Sequence, residues 1–297
     1  MNLPKLIGKI ITTVLLAATA GADDETDFST IPAAAWQRLD PLGRASFDFS
    51  VANCRINVTA PTVFEAQILG PGRAALLAPT TWSDTVVCAD LLAWNPDGDR
   101  AFTGLLARVQ SSAGIAQTSA YALTFLHNPA GLQIYRLDGE VPTLLASSSI
   151  APLNRTHSYR LVLVCAGTNL TGRIYDNADL LMPIVTFTAS DTTYTAGRAG
   201  VFITTDRVVA LTATFDNFLA WNGTPPPLTI APTFSPETVI VSWDALHGLG
   251  SQLEQSADLV VWSGASSFFA IVNGDRIENS FITGFSPTFF RRRLLGH

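Results

Sequence analysis

The sequence predicts an all-β protein: an antiparallel jelly-roll sandwich followed by a small β-sandwich module. Three observations support this prediction. Short runs rich in Val, Ile, Thr, Phe and Tyr recur along the chain, separated by clusters of Gly, Asn, Asp and Pro. No segment keeps a sustained helical period. Three consecutive prolines at 225–227 divide a long first set of runs from a short second set.

The first 22 residues have the pattern of an export signal. Lys5 and Lys9 give a positive start, residues 10–18 give an apolar stretch, and residues 20–22 give the small side chains of a cleavage site. The apolar stretch is shorter than the roughly 20 residues that a membrane-spanning helix needs. We therefore expect a secreted protein, placed outside the cell, at its surface or in the periplasm, with a retained N-terminal anchor as the alternative.

The charge of the chain argues against nucleic acid as a partner. Both lysines lie in the signal, so the remaining chain carries 16 arginines against 24 acidic residues, a formal charge of −8. Nucleic acids are bound by clustered positive charge. The single basic cluster, residues 291–293, is interpreted as a solvated strand end.

An acidic leader is predicted over residues 23–45 and the large sandwich over residues 46–222. About 175 residues are enough for one large core. Alternating runs predict strands at 47–51, 55–58 and 64–68. Longer runs rich in Val, Ile, Thr, Phe and Tyr predict strands at 85–94, 101–109, 119–126, 132–137, 158–165, 170–175, 184–189, 197–204 and 211–220.

A stiff, Pro-rich linker is predicted over residues 223–232, and a small β module over residues 233–297. The predicted strands of this module are 238–243, 252–255, 268–272, 280–283 and 289–294.

The three cysteines are predicted to be inert core residues. Cys88 and Cys165 each lie within an apolar run, and Cys54 leaves the total odd. Export also permits one disulfide, which is the alternative.

Two stretches carry family resemblances. Residues 84–94, 101–109 and 121–125, with the closing run 213–218, resemble the core strands of laminin-G-like, concanavalin A-like jelly rolls of exported bacterial proteins. Residues 241–243, 252–262 and 289–294 resemble a fibronectin type III-like module, of the kind appended to exported proteins of planctomycetes and verrucomicrobia. The second resemblance implies a role as a spacer or an attachment.

The resemblance to jelly rolls also implies a candidate calcium site. An Asp in the closing strand of such domains often holds structural calcium against the first strands, which points to Asp216 with Asp48 as its partner. The alternative is that Asp216 points outward beside Asn217. Residues 95–99 form a second, weaker oxygen-rich loop, which we interpret as a polar turn.

Catalytic signatures are missing from the sequence. Glycoside hydrolases use paired carboxylates, but no two of the six glutamates beyond the signal lie close on one strand. The four histidines accompany no nucleophile elbow of the Gly-x-Ser-x-Gly type. We therefore expect a protein without enzyme activity, and a triad assembled from distant residues is the alternative.

A polar and aromatic face is the candidate ligand site. The strand period places Gly104, Leu106 and Arg108 on one face, with Tyr121 on the next strand. Tyr135 and Arg136 follow on the strand after that. Sugars stack on aromatic rings and bond to planar polar groups. The alternative is that Arg108 pairs with Asp90 or another acid and that Tyr121 is a core residue.

These observations predict an exported, non-catalytic protein that binds carbohydrate or a cell surface. Two alternatives remain: a structural or adhesive spacer, and a hydrolase or lyase acting on polysaccharide.

Overall fold

The computed structural model describes most of the first 222 residues and the strands that follow them. The described residues are 24–26, 28, 30–40, 43–49, 53–59, 72–95, 101–110, 118–139, 141–180, 182–205, 210–222, 229–232, 238–244, 251–256, 260, 263–264, 269–273, 276–282 and 289–294. The predicted signal at 1–22 and the predicted strand at 64–68 lie outside them. Every regular element in the described part is a β-strand, as the sequence predicts.

Fifteen strands make up the large sandwich. In chain order they are β1 (Asp24–Thr26), β2 (Gln37–Leu39), β3 (Ala45–Phe49), β4 (Cys54–Val58), β5 (Gly72–Trp82), β6 (Thr85–Trp94), β7 (Ala101–Val109), β8 (Ala120–Leu126), β9 (Gly131–Asp138), β10 (Val141–Ser149), β11 (Tyr159–Ala166), β12 (Asn169–Asp176), β13 (Val185–Ser190), β14 (Gly197–Thr205) and β15 (Leu211–Trp221).

These strands form two antiparallel sheets. The eight-stranded sheet has the order β13-β12-β11-β6-β15-β4-β3, with β1 also paired to β15. The seven-stranded sheet has the order β10-β9-β8-β7-β14-β5-β2. The chain crosses between the sheets at β1–β2, β2–β3, β4–β5, β5–β6, β6–β7, β10–β11, β13–β14 and β14–β15. Such repeated crossing gives the two-layer sandwich predicted from the sequence.

Both sheets contribute to one hydrophobic core. The seven-stranded sheet supplies residues such as Leu105 and Phe125, and the eight-stranded sheet supplies Ile56, Leu161 and Phe215, all nearly inaccessible to solvent. Cys54, Cys88 and Cys165 are free and buried, which agrees with the prediction of inert core thiols.

The sheets extend into the segment predicted as a leader. β1, β2 and the start of β3 all lie within residues 23–45. Asp24 fixes β1 to β5, because its carboxylate accepts hydrogen bonds from the backbone nitrogen and the hydroxyl of Thr80, at 2.9 and 2.7 Å.

Seven further strands follow residue 222: β16 (Thr229–Pro232), β17 (Thr238–Asp244), β18 (Ser251–Ser256), β19 (Ser263–Gly264), β20 (Phe269–Asn273), β21 (Arg276–Ile282) and β22 (Phe289–Leu294). They form a four-stranded sheet, β16-β17-β21-β20, and a three-stranded sheet, β19-β18-β22. No helix of the described residues has the length and apolar character needed to cross a membrane.

Candidate functional site

The structure places Arg108 inside the protein, where its side chain bonds to three loops: those between β5 and β6, β11 and β12, and β13 and β14. Its side chain is almost fully buried, with Nε donating to the carbonyl oxygen of Ser83 at 2.7 Å. Nη1 donates to the carbonyl oxygens of Gly167 and Tyr194, at 2.9 and 2.8 Å. Nη2 lies 3.2 Å from a carboxylate oxygen of Asp84. Arg108 therefore holds the scaffold and presents no surface at the centre of an open face.

A β-bulge explains why the strand period misplaced Arg108. The pairing of β14 with β7 shifts register between Arg198 and Gly200, and Arg108 has a φ of +52°. The extra residue breaks the alternation, so Arg108 leaves the face of Leu106. Gly197 makes the bulge feasible, because a Cβ there would lie 2.3 Å from the carbonyl carbon of Arg108.

Tyr121 lies in the interior as well. It is fully buried, and its hydroxyl donates to Asp191 Oδ1 at 2.7 Å and accepts from the backbone nitrogen of Tyr194 at 3.0 Å. Burial, followed by the bond to Asp191, raises the pKa of Tyr121 to about 12. Tyr121 is thus a core tyrosine, the alternative left open by the sequence.

Arg136 is the predicted binding residue that reaches the surface with its charged group. It lies opposite Tyr121 in the pairing of β8 with β9, and its side chain is 27% exposed. Nε donates to Asp138 Oδ2 at 2.8 Å, while Nη1 donates to Asp191 Oδ2 at 2.8 Å and to Thr193 Oγ1 at 3.2 Å.

Tyr135 lies on the other face of β9. Its ring packs against the apolar outer face of the seven-stranded sheet, and its hydroxyl donates to Gln133 Oε1 at 2.8 Å. The structure therefore separates Tyr135 from Arg136.

Asp191 joins two of the four predicted residues, Tyr121 and Arg136, into one cluster. We define the Asp191 cluster as Tyr121, Arg136, Asp138, Asp191, Thr193 and Tyr194. Tyr194 completes it, because its hydroxyl lies 2.5 Å from Asp138 Oδ1 and 2.9 Å from the carbonyl oxygen of Leu137.

The two carboxylates of the Asp191 cluster are stabilised in the charged form. Partial burial acts to raise the pKa of Asp191, but hydrogen bonds from Tyr121, Thr193 and Arg136 outweigh it and lower the pKa to about 2. The hydrogen bond from Tyr194, followed by that from Arg136, lowers the pKa of Asp138. Both groups are therefore anionic at neutral pH.

Sequence reasoning missed Asp138, Asp191, Thr193 and Tyr194. One local signal was available: Asp191 begins a turn after β13, in which the nitrogen of Thr193 donates to Asp191 Oδ1 at 2.8 Å. Nothing in the spacing indicated that this turn would meet β8 and β9.

The two candidate calcium ligands lie on different strands. Asp48 is exposed on β3 opposite Arg55 of β4, and β4 separates β3 from β15, which carries Asp216. Asp216 Oδ1 accepts from the nitrogen of Asn217 at 2.7 Å. Among the residues described, no group of three or more His, Cys, Asp or Glu is arranged to hold a metal ion. Residues 96–99 of the second candidate loop lie outside the residues that the structure describes.

No protein-family model matches the chain. No curated protein matches it in sequence. Among solved structures, the carbohydrate-binding module CBM66 from Bacillus subtilis aligns over 56% of this chain and 94% of its own, with 16% identity and a TM-score of 0.41. Lectin II from Ulex europaeus aligns over 68% and 99%, with 10% identity and a TM-score of 0.47. A prokaryotic β-1,3-1,4-glucanase (lichenase) from a mouse hindgut metagenome aligns over 69% and 100%, with 9% identity and a TM-score of 0.48. This set contains a binding module, a lectin and a hydrolase, so it does not separate binding from catalysis.

Proposed function

We propose that this protein is an exported, non-catalytic carbohydrate-binding protein whose ligand contacts the Asp191 cluster. One observation carries the proposal: Arg136 is held between two carboxylates at the surface while part of its guanidinium remains available. Within the described part of the chain, Nη2 of Arg136 makes no hydrogen bond, whereas Nε and Nη1 are fully engaged.

The chemistry of this arrangement suits a sugar. A hydroxyl can accept a hydrogen bond from Arg136 Nη2 and donate one to the carboxylate of Asp138, whose side chain is 41% exposed. The guanidinium is already fixed by Asp138 and Asp191, so little further ordering is needed on binding.

The charge state of the cluster favours binding over hydrolysis. A glycosidase needs one carboxyl group that keeps its proton, with a raised pKa, to protonate the leaving oxygen. The pKa values of Asp138 and Asp191 are both lowered. Neither is suited to be that acid.

The remaining parts of the proposal concern the rest of the chain. We infer that residues 1–22 direct export and that the sandwich of β1 to β15 is the binding domain. The predicted linker at 223–232 ends in β16, and we infer that the strands from β16 onward form a fibronectin type III-like spacer. Calcium at Asp216 and Asp48 remains a prediction. A structural or adhesive role is the second candidate, favoured by the four hydrogen bonds that Arg108 makes inside the scaffold.

The test is a glycan array with the purified protein, with and without calcium, followed by titration calorimetry on the best ligand. Arg136→Gln is compared with Arg55→Gln, which removes one charge from an exposed position on β4. We expect saturable binding that falls at least tenfold in Arg136→Gln and is unchanged in Arg55→Gln. Absence of binding to every glycan would favour the structural role. Equal loss in both variants would refute the Asp191 cluster as the site.

A further inference from the structure

A second polar group lies on the outer face of the eight-stranded sheet. Asp90 of β6 stands opposite Arg160 of β11, and both are only 3% exposed. Arg160 Nε and Nη2 donate to the two carboxylate oxygens of Asp90, at 2.7 and 2.9 Å. Asn217 Nδ2 donates to Asp90 Oδ2 at 2.7 Å. The ion pair is thus bidentate, buried and further fixed by an amide.

The backbone at Asn217 is shaped to complete this group. Asn217 has a φ of +48°, and the pairing of β15 with β6 shifts register between Asp216 and Leu219. An L-residue other than glycine rarely adopts such a φ, and bulges of this kind re-aim side chains. Here the bulge turns the amide of Asn217 onto Asp90.

Arg160 Nη1 and Asn177 Oδ1 are buried polar atoms on this face that lack a partner among the described residues. The other polar groups of Asn177 are used, because its backbone nitrogen and Nδ2 donate to the carbonyl oxygen and Oγ of Ser158, both at 3.0 Å. Unpartnered buried polar atoms are rare in folded proteins, and each one needs an explanation.

The strand register brings these two atoms to the same face. Tyr175 is the partner of Arg160 in the pairing of β11 with β12, and Asn177 follows two residues later, beside Ser158. Side chains two residues apart share a face, and diagonal neighbours on adjacent strands lie about 7–8 Å apart or less. One small group between them can contact both.

The two atoms have opposite hydrogen-bonding roles. Arg160 Nη1 can only donate, and Asn177 Oδ1 can only accept. A carboxylate has no proton to give Asn177, and an ammonium has no lone pair to receive from Arg160. Asp90 already neutralises the charge of Arg160, which removes the attraction for an anion. A neutral hydroxyl satisfies both atoms, since it accepts one hydrogen bond and donates another.

We propose that Asp90, Ser158, Arg160, Asn177 and Asn217 form a hydroxyl-binding site, here named the Arg160 site, which holds one neutral hydroxyl group between Arg160 Nη1 and Asn177 Oδ1. Its occupant is a water molecule or the hydroxyl of an alcohol. The Arg160 site lies on the eight-stranded sheet, whereas Arg136 lies on the seven-stranded sheet. Occupancy of the Arg160 site is therefore independent of glycan binding at the Asp191 cluster.

The test is a crystal structure of the protein at a resolution that places waters, collected once without additive and once with ethylene glycol as the probe. We expect density within hydrogen-bond distance of both Arg160 Nη1 and Asn177 Oδ1. A single peak in both crystals identifies water, and diol density in the second crystal identifies an alcohol site. No density in either, or an anion in that position, overturns the proposal.

A pair of variants checks the acceptor. Asn177→Leu removes Asn177 Oδ1, so the density beside Arg160 should be lost or reduced to less than half occupancy. Asn169→Leu changes an exposed position on β12, the strand that precedes Asn177, and should leave the density unchanged. Full occupancy in Asn177→Leu would show that Asn177 is not the acceptor and would overturn the assignment. Should that variant not fold, the wild-type crystals still decide the question.

Discussion

The hydroxyl of Tyr121 donates to Asp191 Oδ1 at 2.7 Å, and this bond joins the two sheets of the sandwich. Tyr121 belongs to β8 of the seven-stranded sheet, and Asp191 is the first residue after β13, the edge of the eight-stranded sheet. The backbone nitrogen of Tyr194 donates back to the same hydroxyl. One buried tyrosine therefore fixes the connection that carries half of the Asp191 cluster.

Tyr121→Phe should destabilise the protein by about 1–3 kcal/mol, because it leaves the partly buried nitrogen of Tyr194 without its acceptor and removes one donor from Asp191 Oδ1. Urea denaturation measures the change. Tyr135→Phe is the matched control, since it removes a hydroxyl that bonds one half-buried glutamine, Gln133. We expect a loss of under about 1 kcal/mol there. A loss of stability in Tyr121→Phe no larger than in the control would show that the bonds of the Tyr121 hydroxyl contribute little to the free energy of unfolding.

Arg108→Met should be far more damaging. The change keeps much of the side-chain volume but leaves the carbonyl oxygens of Ser83, Gly167 and Tyr194 without their donor. Leaving a buried hydrogen-bonding group without its partner costs about 1–3 kcal/mol, and Arg108→Met does so at all three carbonyl oxygens. Thermal and urea unfolding measure it, with Arg55→Met as the exposed control. If the variant kept its stability but lost glycan binding, Arg108 would be a ligand-binding residue, as the sequence predicts.

Much of the architecture follows from the sequence, because strands of high β-propensity are recognisable from their composition. Several strands were not predicted, and β5 and β10 show the reason. β5 is rich in alanine and contains Pro79, and β10 combines Pro142 with a run of serines. Their residues have low intrinsic strand propensity, so they form strands through pairing: β5 between β14 and β2, and β10 along β9.

The candidate site was harder to predict, for two physical reasons. A single extra residue in β7 reverses the side on which Arg108 lies, and composition does not reveal such a bulge. The partners of Arg136 also come from a distant connection, because Asp191 lies 55 residues along the chain. Contacts of that range depend on how the sheets stack, which one strand's pattern does not encode.

The three cysteines should resist modification in the native state. Burial is the largest cause that raises the pKa of Cys54, Cys88 and Cys165 to about 12. The reactive species is the thiolate. We expect no reaction with Ellman's reagent at pH 8 over an hour, and reaction of all three thiols in guanidinium chloride. Rapid native labelling of even one thiol would contradict this. Fewer than three thiols after unfolding without reductant would indicate a disulfide.

His127 should make the stability depend on pH between about 6.5 and 4. Burial lowers its pKa from 6.5 to about 4, more than offsetting the hydrogen bond between Nδ1 and the carbonyl oxygen of Asn95. The unfolded chain therefore binds a proton at a higher pH than the folded chain does. Stability is fully present above about pH 6.5 and falls as the pH drops through this window, by up to about 3 kcal/mol.

The measurement for His127 is urea unfolding at half-unit steps from pH 7.5 to 4.5, on the wild type and on His127→Gln. The variant should be less stable at pH 7.5, because the ring also packs against Trp94 and Phe125. Its stability should nevertheless vary much less with pH, since no imidazole remains to titrate. The carboxyl of Asp191, with a pKa near 2, loses its contribution only below about pH 4 and leaves this range undisturbed. An equal slope in both proteins would assign the pH dependence to groups other than His127.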